Sequence, residues 1–200
     1  AVVGTFGDNL KHTAAGLIKN LNFSAEQAEL LENLGIYINY NGYGASLEEL
    51  HFAPDELYSL LSQYRSPFDF VSDNSENFQK LEQGYHQDIE AAQSTIPLVA
   101  TDTIAAFVLP NESWARRVSG VYSNQLANDN PDRGHAVLTV KPNGNYLVSV
   151  RAPLNNKKGA AVLCMQFPTG GGREAAAGIN DLPADMLANF LDQFKHAFSA

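Results

Sequence analysis

A chain of 200 residues that is 44% apolar, with eleven Phe and eight Tyr, carries enough hydrophobic material for a buried core, which excludes a disordered or fibrous class. One cysteine, Cys164, excludes a disulfide framework and a thiolate zinc site and fits a reducing, cytoplasmic setting. A net charge of −9 argues against a general nucleic-acid coat, and no run approaches the roughly 20 apolar residues that span a bilayer.

The charge is unevenly spread. Residues 1–100 hold fourteen acids against four Lys and Arg, a net −10, whereas residues 101–200 hold eight against nine, a net +1. A solvated acidic face accounts for the first half. The arginines that can meet an anion lie in the second.

The opening run Ala1-Val2-Val3-Gly4-Thr5-Phe6 follows no signal segment and reads as a processed chain or a piece of a longer one. Residues 1–6 are predicted to form a short buried strand, ending at Gly7-Asp8-Asn9. A helix is expected from Leu10 to Leu21, with Leu10, Ala14, Leu17, Ile18 and Leu21 on one face. Ser24 and Gln27 make a capping box for a helix carrying Ala28, Leu31 and Leu34. After the Asn/Gly-rich loop 39–44, a further helix opens at Pro54-Asp55 and runs to Tyr64. A single strand cannot form a sheet, so residues 1–74 read as the mostly helical remnant of a larger α/β domain.

From Ser75 to Ile96, Phe78, Leu81, Tyr85, Ile89, Ala92 and Ile96 draw one apolar stripe along a helix, stopped by Pro97. This segment reads as a connector over 75–98; a homodimer seam is the alternative. Residues 99–200 then read as a two-layer α/β domain. Its expected parts are a strand over Thr103–Leu109, a helix over Glu112–Leu126 with Trp114 facing inward, and strands His135–Val140 and Tyr146–Val150. The two strands flank Asn143-Gly144, a strong hairpin signal. A helix over Lys158–Gln166, a Gly-rich turn and a last helix opening at Pro183, with Leu187, Phe190, Leu191, Phe194 and Phe198 inward, complete three or four strands and three helices.

Two places can carry chemistry. Gly170-Gly171-Gly172-Arg173 can turn backbone N–H groups toward an anion beside a guanidinium, although such a run is more often a tight turn. In Ser149-Val150-Arg151, strand alternation puts the hydroxyl and the guanidinium on one face. The five histidines show no metal spacing, and Cys164, beside Leu163, reads as core. Asp8 can serve as the N-cap of the helix that starts at Leu10.

The order strand, helix, hairpin ending in Ser149-x-Arg151, helix and Gly170-Gly171-Gly172-Arg173-Glu174-Ala175-Ala176-Ala177-Gly178 resembles the C-terminal accessory domain of the DHH phosphoesterase superfamily. RecJ-like exonucleases, oligoribonuclease/pAp phosphatases and cyclic-dinucleotide phosphodiesterases belong to it. The family motif reads Gly-Gly-Gly-His-x-x-Ala-Ala-Gly, so the match is full except that Arg173 stands in place of the histidine. The resemblance implies that Ser149, Arg151, Gly170, Gly171, Gly172 and Arg173 grip the phosphate and sugar of a nucleotide or short oligonucleotide. It also implies a catalytic domain holding two Mn²⁺ or Mg²⁺ ions. Asp8 resembles its last metal-binding aspartate, and no Asp-His-His triplet occurs here. The chain by itself is then expected to hold no metal and to bind without hydrolysing. The competing expectation is a non-enzymatic interaction protein whose Gly-rich loop is structural.

Overall fold

The structure, a computed structural model, describes residues 1–198. It divides into two compact units, residues 1–90 and 91–200.

The first unit is helical throughout: α1 (Val2–Gly7), α2 (Lys11–Leu21), α3 (Ala25–Tyr40), α4 (Pro54–Leu61), α5 (Pro67–Asp73) and most of α6 (Ser75–Gln93). The strand expected over residues 1–6 is therefore a helix, and the larger sheet inferred from it loses that support. Packing overrides the strand preference of Val2 and Val3. A Cβ on Gly35 of α3 would lie 2.3 Å from the Val3 carbonyl oxygen and 2.9 Å from the Gly7 nitrogen. Only glycine lets α1 lie this close to α3, and the Asn39 side-chain amide then donates to the Gly7 carbonyl.

The Ser24–Gln27 capping box is present in both directions, and α3 buries Leu31, Leu34, Tyr37 and Tyr40. Helix α5 was not foreseen, although Ser66-Pro67 marks its start: the Ser66 hydroxyl accepts from the Phe68 N–H at 3.2 Å. The α6 stripe packs inside this unit. Leu81 is fully buried with Tyr37, Phe52 and Leu57, and Phe78 and Tyr85 lie against them. The first half of the stripe is therefore occupied within this unit. Gly84 makes room for His51, since a Cβ there would sit 2.3 Å from the ring nitrogen Nε2. The helix ends at Gln93, earlier than expected, and leaves Ile96 87% exposed.

The second unit is an α/β fold with a six-stranded mixed sheet, where three or four strands were expected. The strands are β1 (Val99–Ala100), β2 (Ile104–Leu109), β3 (Gly134–Val140), β4 (Tyr146–Arg151), β5 (Gly170–Arg173) and β6 (Ala176–Leu182), in spatial order β1-β2-β3-β4-β6-β5. Only β2 and β3 are parallel, joined over the sheet by α7 (Ser113–Asp129). Trp114 of α7 is half-buried and donates to Glu112; Ala115 takes the buried place.

Helices α8 (Ala160–Cys164) and α9 (Leu187–Phe198) lie on the other face, so the sheet is covered on both. There Ala136, Leu138, Val148, Val150 and Ile179 bury against Leu163, Phe190 and Phe194. Each such aliphatic or aromatic side chain contributes about 1.5–3 kcal/mol.

The close approach of α1 to α3 yields a stability test. Gly35→Ala should destabilise by about 1–3 kcal/mol through overpacking. Gly16→Ala, where nothing lies within 4 Å of the added Cβ, should be neutral or stabilising by up to about 1 kcal/mol. Urea denaturation of the two variants separates these outcomes.

Candidate functional site

Strand β4 pairs with β3 on one side and β6 on the other, and this fixes which side chains share a face. Arg151 stands opposite His135 on β3 and Ala176 on β6, and Ala176 stands opposite Arg173 on β5. The neighbouring row runs Val137, Ser149, Gly178, Gly171. Residues paired across antiparallel strands present their side chains to the same face. Ser149, Arg151, Gly171 and Arg173 therefore share the sheet face opposite the α8–α9 core. Arg151 and Arg173 lie two strands apart, roughly 10 Å between backbones.

Helix α7 covers part of this face, over β3 and β4, and its Tyr122 meets Phe107 of β2 edge-on at 5.6 Å. It also holds Arg151. The guanidinium Nε donates to Asn124 Oδ1 at 2.9 Å, and Nη1 donates to Ser149 Oγ at 3.0 Å. On β6 and β5 the same face carries Ala176, Gly178 and Gly171, all partly exposed, which form a shallow floor. At its rim Arg173 is exposed, with no hydrogen-bond or ion-pair partner among the described residues, while Glu174 accepts from the Gly159 N–H at 3.3 Å.

The Gly-rich segment is not the turn expected. It is the edge strand β5, so its N–H groups point alternately inward and outward rather than converging as a nest. The glycines serve different ends. A Cβ on Gly170 would lie 1.7 Å from the Cys164 carbonyl oxygen, so this glycine lets α8 approach the sheet. Gly172, at φ +141°, would place a Cβ 2.5 Å from the Ala177 Cα. Gly171 meets nothing within 4 Å, and packing does not require it to be glycine.

Sequence reasoning missed Asn124 and His135. His135 is 1% exposed, and neither ring nitrogen has a hydrogen-bond partner. Burial pushes its pKa down to about 4, assisted by the Arg133 guanidinium; the Arg133 backbone opposes the shift without completing a hydrogen bond. The ring is thus neutral at pH 7. The signal for it was present: residues equidistant from Asn143 pair in this hairpin, which sets His135 opposite Arg151. Cys164 lies in the core, and burial pushes its thiol up to about 12, which removes it as a nucleophile.

Asp8 belongs to the first unit. It is exposed, follows α1, and lines a cleft of about 460 Å³ with Gly7, Gly35 and Asn39. It does not cap α2, whose N-cap is Leu10. One carboxylate does not fit a two-ion site for hard divalent cations. No group of three His, Cys, Asp or Glu side chains suited to a metal occurs among the described residues. No helix among them is long and apolar enough to cross a membrane.

No family model and no curated protein sequence matches the chain. Solved structures do. The fold is similar to that of the exonuclease RecJ bound to manganese, with a TM-score of 0.53 and 15% identity, covering 97% of this chain and 46% of that one. It is similar to CDC45 from Entamoeba histolytica, with a TM-score of 0.53 and 8% identity, covering 85% and 38%. More distantly it is similar to a Vibrio pGpG-specific phosphodiesterase, with a TM-score of 0.43 and 11% identity, covering 88% and 52%. The chain thus spans about half or less of each of these proteins. The neighbours include the RecJ proteins to which the Ser-x-Arg and Gly-Gly-Gly elements had pointed.

Two outcomes test this geometry. Gly170→Ala should lower the thermal midpoint or prevent folding, whereas Gly171→Ala should leave it unchanged. For His135, the depressed pKa means that the unfolded chain takes up a proton near pH 6.5 and the folded one only near pH 4. Stability should therefore be full above pH 6.5 and fall as the pH drops toward 4, by on the order of 3 kcal/mol at most. His135→Asn should flatten that part of the stability profile, and parallel profiles for variant and wild type would show that the ring is not held neutral.

Proposed function

We propose that the second unit binds a phosphate-bearing ligand, a nucleotide or short single-stranded nucleic acid, on the face shared by Ser149, Arg151, Gly171 and Arg173. The chain would be the substrate-binding part of a DHH-type phosphoesterase. The observation that carries the reading is the row Arg173–Ala176–Arg151, in which two guanidiniums on one face flank residues too small to fill the space between them. A planar fork of donors suits phosphate oxygens, and an anion between two such forks relieves their repulsion. Gly170 and Gly172 shape the floor, and Gly171 leaves it open to the ligand.

In this reading residues 1–74 belong to the catalytic domain, 75–98 connect, and 99–200 hold the substrate, in a cytoplasmic protein. Hydrolysis needs Mn²⁺ or Mg²⁺, to which Asp8 would contribute one ligand. The described residues add no others, and no hydrolytic step is assigned to this chain.

A second reading is favoured by the steric demand at Gly170 and Gly172: the glycines serve packing alone, and the unit is a non-enzymatic interaction module. Titration of a mononucleotide separates the two. Charge-assisted contacts are each worth about 1.5–3 kcal/mol. Arg151→Ala and Arg173→Ala should therefore each weaken binding about tenfold or more, with Arg173→Ala leaving thermal stability unchanged because its side chain is exposed and unpartnered. Equal affinities for wild type and both variants would leave the β5–β6 hairpin with a structural role only.

A further inference from the structure

Helices α1, α3 and α5 of the first unit border a cavity of about 710 Å³, within the roughly 300–1,000 Å³ of small-molecule clefts. Leu31, Leu34 and Phe70, all fully buried, line its depth, and Leu21, 55% exposed, lies at its mouth. Phe23 and Phe68 meet edge-on at 5.5 Å in its wall. Apart from Tyr64, Arg65 and Ser66 the lining is apolar, and the Ser66 hydroxyl already accepts from the Phe68 N–H. Such walls offer water few hydrogen-bond partners, so an apolar group displaces it at little cost.

The charge at the mouth is the second observation. Residues 1–90 hold fourteen acids and four Lys and Arg. Three of those cations are placed. Lys11 pairs with Glu32 at 3.1 Å, Lys19 stands in the last turn of α2, where a cation complements the helix carbonyls, and Lys80 lies over the Phe52 ring at 4.2 Å. Arg65, on the short connection between α4 and α5, is exposed and has no hydrogen bond or ion pair among the described residues. Asp69, one helical turn further on, does not take it as a partner. In the most acidic part of the chain the one guanidinium is thus left unengaged beside the apolar cavity.

We propose that this cavity binds an amphipathic monoanion, an alkyl carboxylate, with the chain among Leu31, Leu34, Phe68 and Phe70 and the carboxylate on Arg65. The planar guanidinium matches a carboxylate with two parallel hydrogen bonds. A phosphate monoester carries nearly two charges at pH 7, and the surrounding acids disfavour the second. A carboxylate carries one, which Arg65 neutralises. The site lies wholly within the first unit and is independent of the phosphate face proposed for the second.

The probes are octanoate, decanoate, decan-1-ol and decylammonium, titrated calorimetrically against the full chain. Decanoate should bind about fourfold more tightly per added methylene than octanoate. It should exceed decan-1-ol by about five- to tenfold, with decylammonium weakest. Arg65→Gln, at an exposed position that leaves the fold intact, should bring decanoate down to the level of decan-1-ol and leave decan-1-ol affinity unchanged. Leu61→Trp, which fills the cavity from the end of α4, should weaken both. The proposal is overturned if wild type does not prefer decanoate to decan-1-ol, or if Arg65→Gln keeps the preference. It is equally overturned if Leu61→Trp, folded by its thermal transition, binds both probes as wild type does. Absence of binding by a chain that elutes as a dimer would assign the cavity to a second copy instead, and absence of binding by a monomer would leave it a packing defect.

Discussion

The register of β4 governs everything at the site. This strand sits between β3 and β6, and its alternation sends Val148 and Val150 into the core while Ser149 and Arg151 face the other side. A slip of one residue would bury the guanidinium among Leu138, Leu163 and Phe190 and expose two valines, which no local repacking could offset. Two features pin the register far from the site. Gly144, at φ +83°, closes the hairpin, where the Lys141 N–H donates to the Asn145 carbonyl at 2.8 Å. Lys141 and Asn145 then both reach Asp181 on β6, and the lysine's hydrogen bond holds that carboxyl below the usual carboxylate range. One clamp at the hairpin tip thus ties three strands in register and positions an arginine at their opposite end.

The two faces of the sheet divide the labour. The α8–α9 face is a continuous apolar layer and carries the stability. On the other face α7 covers only part of the sheet, and small residues line the remainder. The glycine motif straddles this division, with Gly170 and Gly172 answering to the backbone of α8 and β6 and Gly171 to open space. A triple glycine read from sequence therefore holds two meanings at once, and only the approach distances separate them.

Much of this was legible in the sequence for identifiable reasons. The capping box at Ser24, the Asn143-Gly144 hairpin and the amphipathic pattern of α9 are local signals, and local signals survive folding. The shared face of Ser149 and Arg151 followed from strand alternation alone. What was lost depends on distant partners. Val2 and Val3 favour a strand until Gly35 offers α1 a groove. β5 and β6 are poor in the β-branched and aromatic residues that mark strands, since their glycines and alanines serve close approach. The stripe on α6 was visible, but what covers it was not, because Tyr37 and Phe52 come from remote segments.

Arg173, which stands where the resembled motif has a histidine, takes on meaning beside His135. A histidine at the rim would change its charge between pH 5 and 8 and couple phosphate binding to proton uptake. An arginine guanidinium at the rim carries a fixed charge instead. The one imidazole on this face is neutral until the pH approaches 4. On the proposed phosphate face a pH dependence of binding above pH 5 would therefore come from the ligand, whose phosphate loses its second proton near pH 6.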